Sequence, residues 1–200
     1  MVDVDDAVIL AGGRGTRMLP GSNYVPKEIM PLVDTPIINH LIWEACKASV
    51  KRIHIVISPI KRDILTKIFS DNNKYRNNSI RPDLPRIALE PIPEGVEIII
   101  HEQIEPGGVG DAILLATKEI SGPFLVLLGD NLLINEHVDP KKSGPKFASN
   151  SSKKLVDYYN RNGKPCAGIL EVPDKEVHKY GIVRLDDDLI KDIVEKFDLK

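Results

Sequence analysis

The sequence predicts an α/β domain, doubly wound around a mainly parallel sheet. Three observations predict it. Apolar runs of strand length, Ala7–Leu10, Ile53–Ile57 and Pro123–Leu128, are bounded by polar or glycine-rich turns. Between the first two, Ile37, Ile38, Leu41, Ile42, Ala45 and Ala48 recur at helical spacing. The connections are short, so strand, helix, strand and helix alternate, the rhythm of a parallel sheet covered by helices.

The first strand, about Asp6 to Leu10, enters a loop of small residues: Ala11, Gly12, Gly13 and Gly15. With little or no side chain in the way, the backbone N–H groups of such a loop approach a phosphate closely. Arg14 and Arg17 add guanidinium forks suited to phosphate oxygens, and Lys27 follows beyond a proline-bounded loop. On Gly13-Arg14-Gly15 alone, a tight turn carrying two solvated arginines reads equally well. The GxxxxGK[ST] phosphate loop is excluded because Gly15 leads into Thr16-Arg17. The GxGxxG dinucleotide fingerprint is excluded because Met18 stands where its third glycine belongs.

Pro31-Leu32-Val33 reads as a short extended piece before the turn Asp34-Thr35-Pro36, and the following helix covers roughly Ile37 to Ser49. After the polar turn Lys51-Arg52 come a strand, Ile53 to Ile57, and a helix, Lys61 to Phe69. Asp71 to Pro93 is rich in Asn, Pro and charge and reads as a loop, with a short strand at Ile87 to Leu89. Val96 to His101 is the next strand, ending in Glu102-Gln103; Ile104 to Ala112 is a second glycine-rich turn, and the helix it starts runs from Ala112 to Ile120. Pro123 to Leu128 is continuously apolar, which predicts a central strand. It delivers Gly129-Asp130-Asn131 at its carboxyl end, where open α/β sheets bind ligands. In isolation Asp130 reads as well as a turn or cap residue. Asp139 to Lys154 is a polar loop, and Leu155 to Asn160 is helical, stopping at Asn162-Gly163. Cys166 to Val172, Tyr180 to Val183 and Ile193 to Lys196 read as strands, and all 200 residues read as one domain.

A net charge of −2 provides no global field for nucleic acid or a membrane surface, so an anion site must be local, as the Arg14, Arg17 and Lys27 cluster is. No apolar run approaches the ~18 residues of a membrane span. The acidic start MVDVDD is no signal peptide, which makes the cytoplasm the expected compartment. Cys46 and Cys166 lack metal spacing and read as reduced thiols in or near the core. The histidines are scattered, with no Ser–His or Cys–His set to suggest a covalent mechanism.

The longer strings LAGGRGTRMLP and PKEIMPLVDTPII resemble the signature of the sugar-1-phosphate nucleotidyltransferases. The Pro26-Lys27-Glu28 form, with Pro20 before it, is most similar to the UTP–glucose-1-phosphate uridylyltransferase branch of bacteria and archaea. The resemblance spans nearly the whole chain, strongest at 7–40, good at 98–131 and weaker at 180–196. It implies the Rossmann-like fold of nucleotide-diphospho-sugar transferases. It also implies Mg²⁺ as cofactor, and UTP or dTTP with a sugar 1-phosphate as partners. Charge and hydropathy call for no nucleic acid and no membrane as partners, and the resemblance allows a homo-oligomer.

Residue by residue, the resemblance implies that Ala11, Gly12 and Gly13 hold the nucleotide and that Glu28 is among the substrate-binding residues. Arg17 holds the departing β- and γ-phosphates, Lys27 bridges the α-phosphate and the incoming phosphate, and Asp130 binds Mg²⁺. Gln103 and Gly108 face the base: a Gln amide offers both a donor and an acceptor to a pyrimidine edge, and a glycine leaves room for it. Gly181 backs onto the sugar, Glu195 contacts its hydroxyls and Lys196 its phosphate; without the resemblance, Glu195-Lys196 is an exposed charge pair. Three positions depart from the pattern. Gly107 stands where many uridylyltransferases carry a polar or charged residue, and Phe197 replaces a proline. Gly129-Asp130-Asn131 resembles the thymidylyltransferase branch at least as much. Family members continue beyond the position of Lys200, so the expected domain is C-terminally short, without a second metal-binding Asp and part of the sugar pocket.

The implied reaction joins UTP to glucose 1-phosphate, giving UDP-glucose and pyrophosphate. A dTTP-dependent or other sugar-1-phosphate nucleotidyltransferase is the alternative within the family. A non-catalytic nucleotide- or sugar-phosphate-binding subunit is the alternative outside it.

Overall fold

The computed structural model describes residues 3–32, 34–70, 82–84, 86–90, 92–133 and 144–195, in two compact units, Met1–Cys166 and Ala167–Lys200. The first unit is built outward from β1 (Asp6–Ala11), whose side chains are buried apart from the half-buried Leu10. A two-residue pair, β2 (Pro31–Leu32) and β3 (Thr35–Pro36), leads into α1 (Ile37–Lys47). Then follow β4 (Arg52–Ile57), α2 (Arg62–Phe69), α3 (Arg86–Leu89), β5 (Glu97–Glu102), α4 (Gly108–Thr117), β6 (Phe124–Leu128) and α5 (Ser151–Asn162). The strands form a parallel sheet in the order β5-β4-β1-β6, with Ile9 opposite both Ile55 and Leu127.

Alternation along the strands sends successive side chains to opposite faces. Ala7, Ile9, Ala11, Ile53, Ile55 and Ile57 share the larger core with Ile38, Leu41 and Ile42 of α1, Leu65 of α2 and Val156 of α5. Val8 and Val56, on the other face, pack with Ala112 and Ala116 of α4. Helices therefore cover both faces, as the doubly wound reading requires. Each fully buried Ile or Leu contributes about 1.5–3 kcal/mol, so the larger face supplies most of the stability. Glu44, buried in α1, accepts from the amide and hydroxyl of Ser152 at 3.1 and 2.6 Å and so ties α1 to the first turn of α5.

Several boundaries differ from the sequence expectations. β6 lies at an edge of the described sheet rather than in its centre, and Val126 and Leu128 remain 38% and 44% exposed. A continuous apolar run reports strand character but carries no record of its neighbours. Residues 87–89 form part of a short helix rather than a strand, and residues 166–172 form no strand. α1 stops at Lys47 because Ser49 takes a left-handed φ of 71°. α4 starts at Gly108, before the expected Ala112. α5 ends at the expected place, where Gly163 adopts a left-handed φ of 63° and donates to the Tyr159 carbonyl at 2.7 Å. Both cysteines are free: Cys46 is half-buried, burial pushing its thiol up to about 12, whereas Cys166 is exposed rather than near the core. In the second unit, β7 (Gly181–Asp186) and β8 (Leu189–Glu195) form an antiparallel pair.

A buried polar chain crosses the α4 face. Asp6 Oδ1 lies 3.1 Å from His54 Nε2, and His54 Nδ1 lies 2.9 Å from His101 Nε2. Arg52 donates to the other Asp6 oxygen at 2.8 Å, and Glu119 lies 3.9 Å from His101 Nδ1. A carboxylate offers only acceptors, so His54 donates to it through Nε2. Burial, and then the neighbouring His54, hold the His101 pKa below the ordinary value of 6.5, against a smaller opposing pull from Glu119. Below pH 6.5 the unfolded chain therefore binds more protons at this residue than the folded one, so its contribution to stability is lost as pH falls through that window. The Tm is expected to drop between about pH 7.5 and about pH 5.5, and less steeply in His101→Asn. An identical pH slope in the variant would remove His101 as the cause.

Candidate active site

The carboxyl ends of β1 and β4 are paired up to Ala11 and Ile57, and the glycine loop leaves the sheet there. Gly12 lies beside Gln103: a Cβ at Gly12 would come within 3.5 Å of Gln103 Oε1 and 3.9 Å of the Ile57 carbonyl carbon. Gly13 lies next to Lys27, 3.7 Å separating its would-be Cβ from Nζ. Gly15 adopts a φ of 71°, a conformation that favours glycine, and Ser22 Oγ donates to its carbonyl at 2.7 Å. This closes the loop back on itself and brings the Pro26-Lys27-Glu28 turn beneath it.

Lys61, from the turn preceding α2, is 5% exposed and donates to the carbonyls of Ala11 at 2.6 Å and Gly13 at 2.7 Å. Both carboxylate oxygens of Glu28 accept from the same ammonium at 2.9 Å. In a trans peptide the carbonyl of one residue and the N–H of the next point in opposite directions. Carbonyls turned onto Lys61 therefore turn the N–H groups of Gly12 and Arg14 away from it, as donors for an anion. Glu28 is fully buried under the loop, paired with Lys61, rather than on its open side. Burial lowers the Lys61 pKa, and the bond to Glu28 and its charge oppose that shift. The sequence reading passed over Lys61, since a lysine at the start of an amphipathic helix has the local pattern of a solvated residue.

Lys27 Nζ lies 3.0 Å from Asp130 Oδ2, joining residues 103 positions apart. Asp130 sits just past β6, beside the end of β1. Burial raises its pKa, but the bond and charge of Lys27, with help from Arg17, more than reverse this and hold the carboxyl below its ordinary range. Arg17, exposed in the short turn Thr16–Met18, is thus near enough to act on Asp130. Gln103 is anchored by its backbone N–H on the Ile57 carbonyl at 2.8 Å. Its side-chain nitrogen donates to the Gly108 carbonyl at 3.2 Å and to Asp111 Oδ2 at 2.6 Å. Asp111 is a second residue the sequence reading missed. With Ile104 and Leu114 it lines an open groove between β5 and α4.

The structure thus brings together Ala11, Gly12, Gly13, Arg17, Lys27, Gln103, Gly108 and Asp130 at the carboxyl ends of β1, β4, β5 and β6. In the second unit, the β7–β8 register sets Gly181 directly opposite Glu195. Lys196 lies outside the described residues. Among the described residues no group of three or more His, Cys, Asp or Glu side chains is placed to hold a metal, and no helix is long and apolar enough to cross a membrane.

A family model described as Nucleotidyl transferase matches residues 6–199. A UTP–glucose-1-phosphate uridylyltransferase of Streptococcus pyogenes serotype M3 is 32% identical over 188 residues, covering 92% of this chain and 59% of the relative. The chain therefore spans about three fifths of the length of the curated relatives it matches. A UDP-glucose pyrophosphorylase solved with UDP-glucose superposes with a TM-score of 0.72 at 30% identity, over 96% of this chain and 69% of that one. A UTP-bound enzyme of the same kind from Acinetobacter baumannii superposes with a TM-score of 0.75 at 27% identity, over 96% and 68%.

Proposed function

Since the chain belongs to the nucleotidyl transferase family, we propose that it transfers the uridylyl group of UTP to glucose 1-phosphate, giving UDP-glucose and pyrophosphate. The observation that carries this reading is the Lys27–Asp130 pair at 3.0 Å beside the glycine loop. It sets one cation and one carboxylate where the α-phosphate of a nucleotide on that loop would lie. A phosphate oxygen of the sugar phosphate forms a bond to the α-phosphorus as the bond to the β-phosphate oxygen breaks. That nucleophile is already anionic near pH 7 and needs no general base, so the task is to neutralise and align two polyanions.

The chain's own groups divide this task. The N–H groups of Gly12 and Arg14, turned away from Lys61, cradle phosphate oxygens together with the backbone at Ala11 and Gly13. Arg17 holds the departing pyrophosphate through its guanidinium fork. Lys27 lies between the α-phosphate and the incoming phosphate, where negative charge accumulates in the transition state. Gln103 and Gly108 receive the base. Glu28 acts from below, holding the Lys61 ammonium against the loop. Gly181, Glu195 and Lys196 serve the sugar and its phosphate.

Asp130 fits a magnesium ion, because its carboxylate is held in the charged form by Lys27 and is half exposed. Mg²⁺ needs few protein carboxylates when substrate phosphates complete its oxygen shell, and Asp130 would provide one. When bound it supplies Lewis-acid neutralisation of the phosphate oxygens.

The test is pyrophosphate release from UTP, dTTP, CTP, ATP and GTP with glucose 1-phosphate and Mg²⁺. UTP is expected to give the fastest turnover. Faster release from dTTP, which the Gly129-Asp130-Asn131 sequence favours, would transfer the assignment to the thymidylyltransferase branch. Saturable nucleotide binding with no release from any of them would make the chain a binding subunit.

A further inference from the structure

A glutamine amide can read a pyrimidine in two opposite ways, since one corner accepts and the other donates. Which corner of Gln103 faces the glycine loop is decided by a neighbour. Asp111 Oδ2 lies 2.6 Å from Gln103 Nε2, and the Gly108 carbonyl lies 3.2 Å from the same nitrogen. Both are acceptors, so both amide hydrogens are committed, and Oε1 is left on the side of Gly12. Reversing the amide would set Oε1 against two acceptors and lose both bonds. Gly107 makes this possible sterically: a Cβ there would lie 2.7 Å from Asp111 Cγ and push the carboxylate off Gln103.

We propose that Asp111 is a positioning residue that sets base specificity by locking Gln103 with its oxygen toward the base. A locked acceptor matches the ring N3–H of uracil or thymine and is mismatched to the bare N3 of cytosine, where two acceptors would meet unpaired. Asp111 itself does not touch the base. The proposal rests on the assignment of Gln103 to the base made under the proposed function.

UTP and CTP carry the same ribose and triphosphate, so any change in local charge acts on both and cancels in the ratio of their affinities. That ratio, measured by titration calorimetry on the full chain, isolates the amide orientation. The unmodified chain is expected to prefer UTP. Asp111→Ala, which frees the amide to turn, should shrink the preference about 10-fold. Asp111→Asn, whose Oδ1 can still accept from Nε2, should retain most of it, and Gln103→Ala should abolish it.

If Asp111→Ala keeps the full preference while Gln103→Ala loses it, the proposal fails and the base assignment of Gln103 stands. A shift in Tm alone would then mark Asp111 as a helix-terminus residue only. If neither variant changes the preference, or the unmodified chain binds neither nucleotide, the assignment of Gln103 to the base fails and takes the proposal with it. Equal affinity of the unmodified chain for UTP and CTP also overturns the proposal.

Discussion

Lys27→Ala is expected to lower kcat about 10²–10³-fold while the chain stays folded. Lys27 is 8% exposed, its ammonium lies 3.0 Å from Asp130 Oδ2, and the Gly13 backbone passes beside it. In the proposed reaction a cation so placed would interact more strongly with the charge that develops between two reacting phosphates than with either substrate alone, so its loss should fall mainly on turnover. Binding of UTP should weaken far less, because the loop amides and Arg17 remain. Asp130 would lose its strongest partner, and its depressed pKa should move back up, so activity of the variant should fall off earlier as pH is lowered. Steady-state pyrophosphate release and UTP titration, with a thermal melt as folding control, separate these effects. Normal turnover in Lys27→Ala would reject the transition-state role.

Gly129→Ala should be the most damaging single-methyl change at a described glycine, destabilising the fold by about 3 kcal/mol, the upper part of the range for overpacking. Gly129 continues the β1–β6 ladder by donating to the Leu10 carbonyl at 2.9 Å. A Cβ at Gly129 would fall on that same carbonyl oxygen, with the Leu10 carbonyl carbon at 3.2 Å and the Ala11 Cα at 3.4 Å. All three are backbone atoms of β1, a buried strand, and cannot swing aside as a flexible side chain would. The cost is steric, not dihedral, because Gly129 has no positive φ. Movement of this joint would also displace Asp130, the next residue, so activity should fall with stability. Gly110→Ala is the matched control: nothing lies within 4 Å of its would-be Cβ, and alanine favours the helix it occupies. Denaturant midpoints of the two variants should therefore diverge, and an unchanged midpoint in Gly129→Ala would contradict the clash.

The glycine loop and its cations were legible because their signal is local. Gly12, Gly13 and Gly15 directly follow an apolar strand, and Arg17 and Lys27 lie within one short stretch of it. Asp130 was legible as a carboxylate two residues past an apolar run. Lys61 and Asp111 were not: one looks like any lysine at a helix start, and the other like any aspartate in a first helical turn. Each acquires its part from a partner that the sequence places elsewhere, Glu28 and the loop carbonyls for Lys61, Gln103 for Asp111.

The sequence by itself determined the alternation of strands and helices, the left-handed stop at Gly163 and the glycine-rich, cationic character of residues 11–27. These follow from side-chain period, backbone freedom and residue chemistry, which act over a few positions. Only the tertiary structure decided that β6 lies at an edge of the described sheet, that Glu28 faces inward, that Asp6, His54 and His101 form one buried chain, and that Lys27 meets Asp130. Those outcomes depend on which strands lie side by side, a competition among long-range packings that no local pattern records.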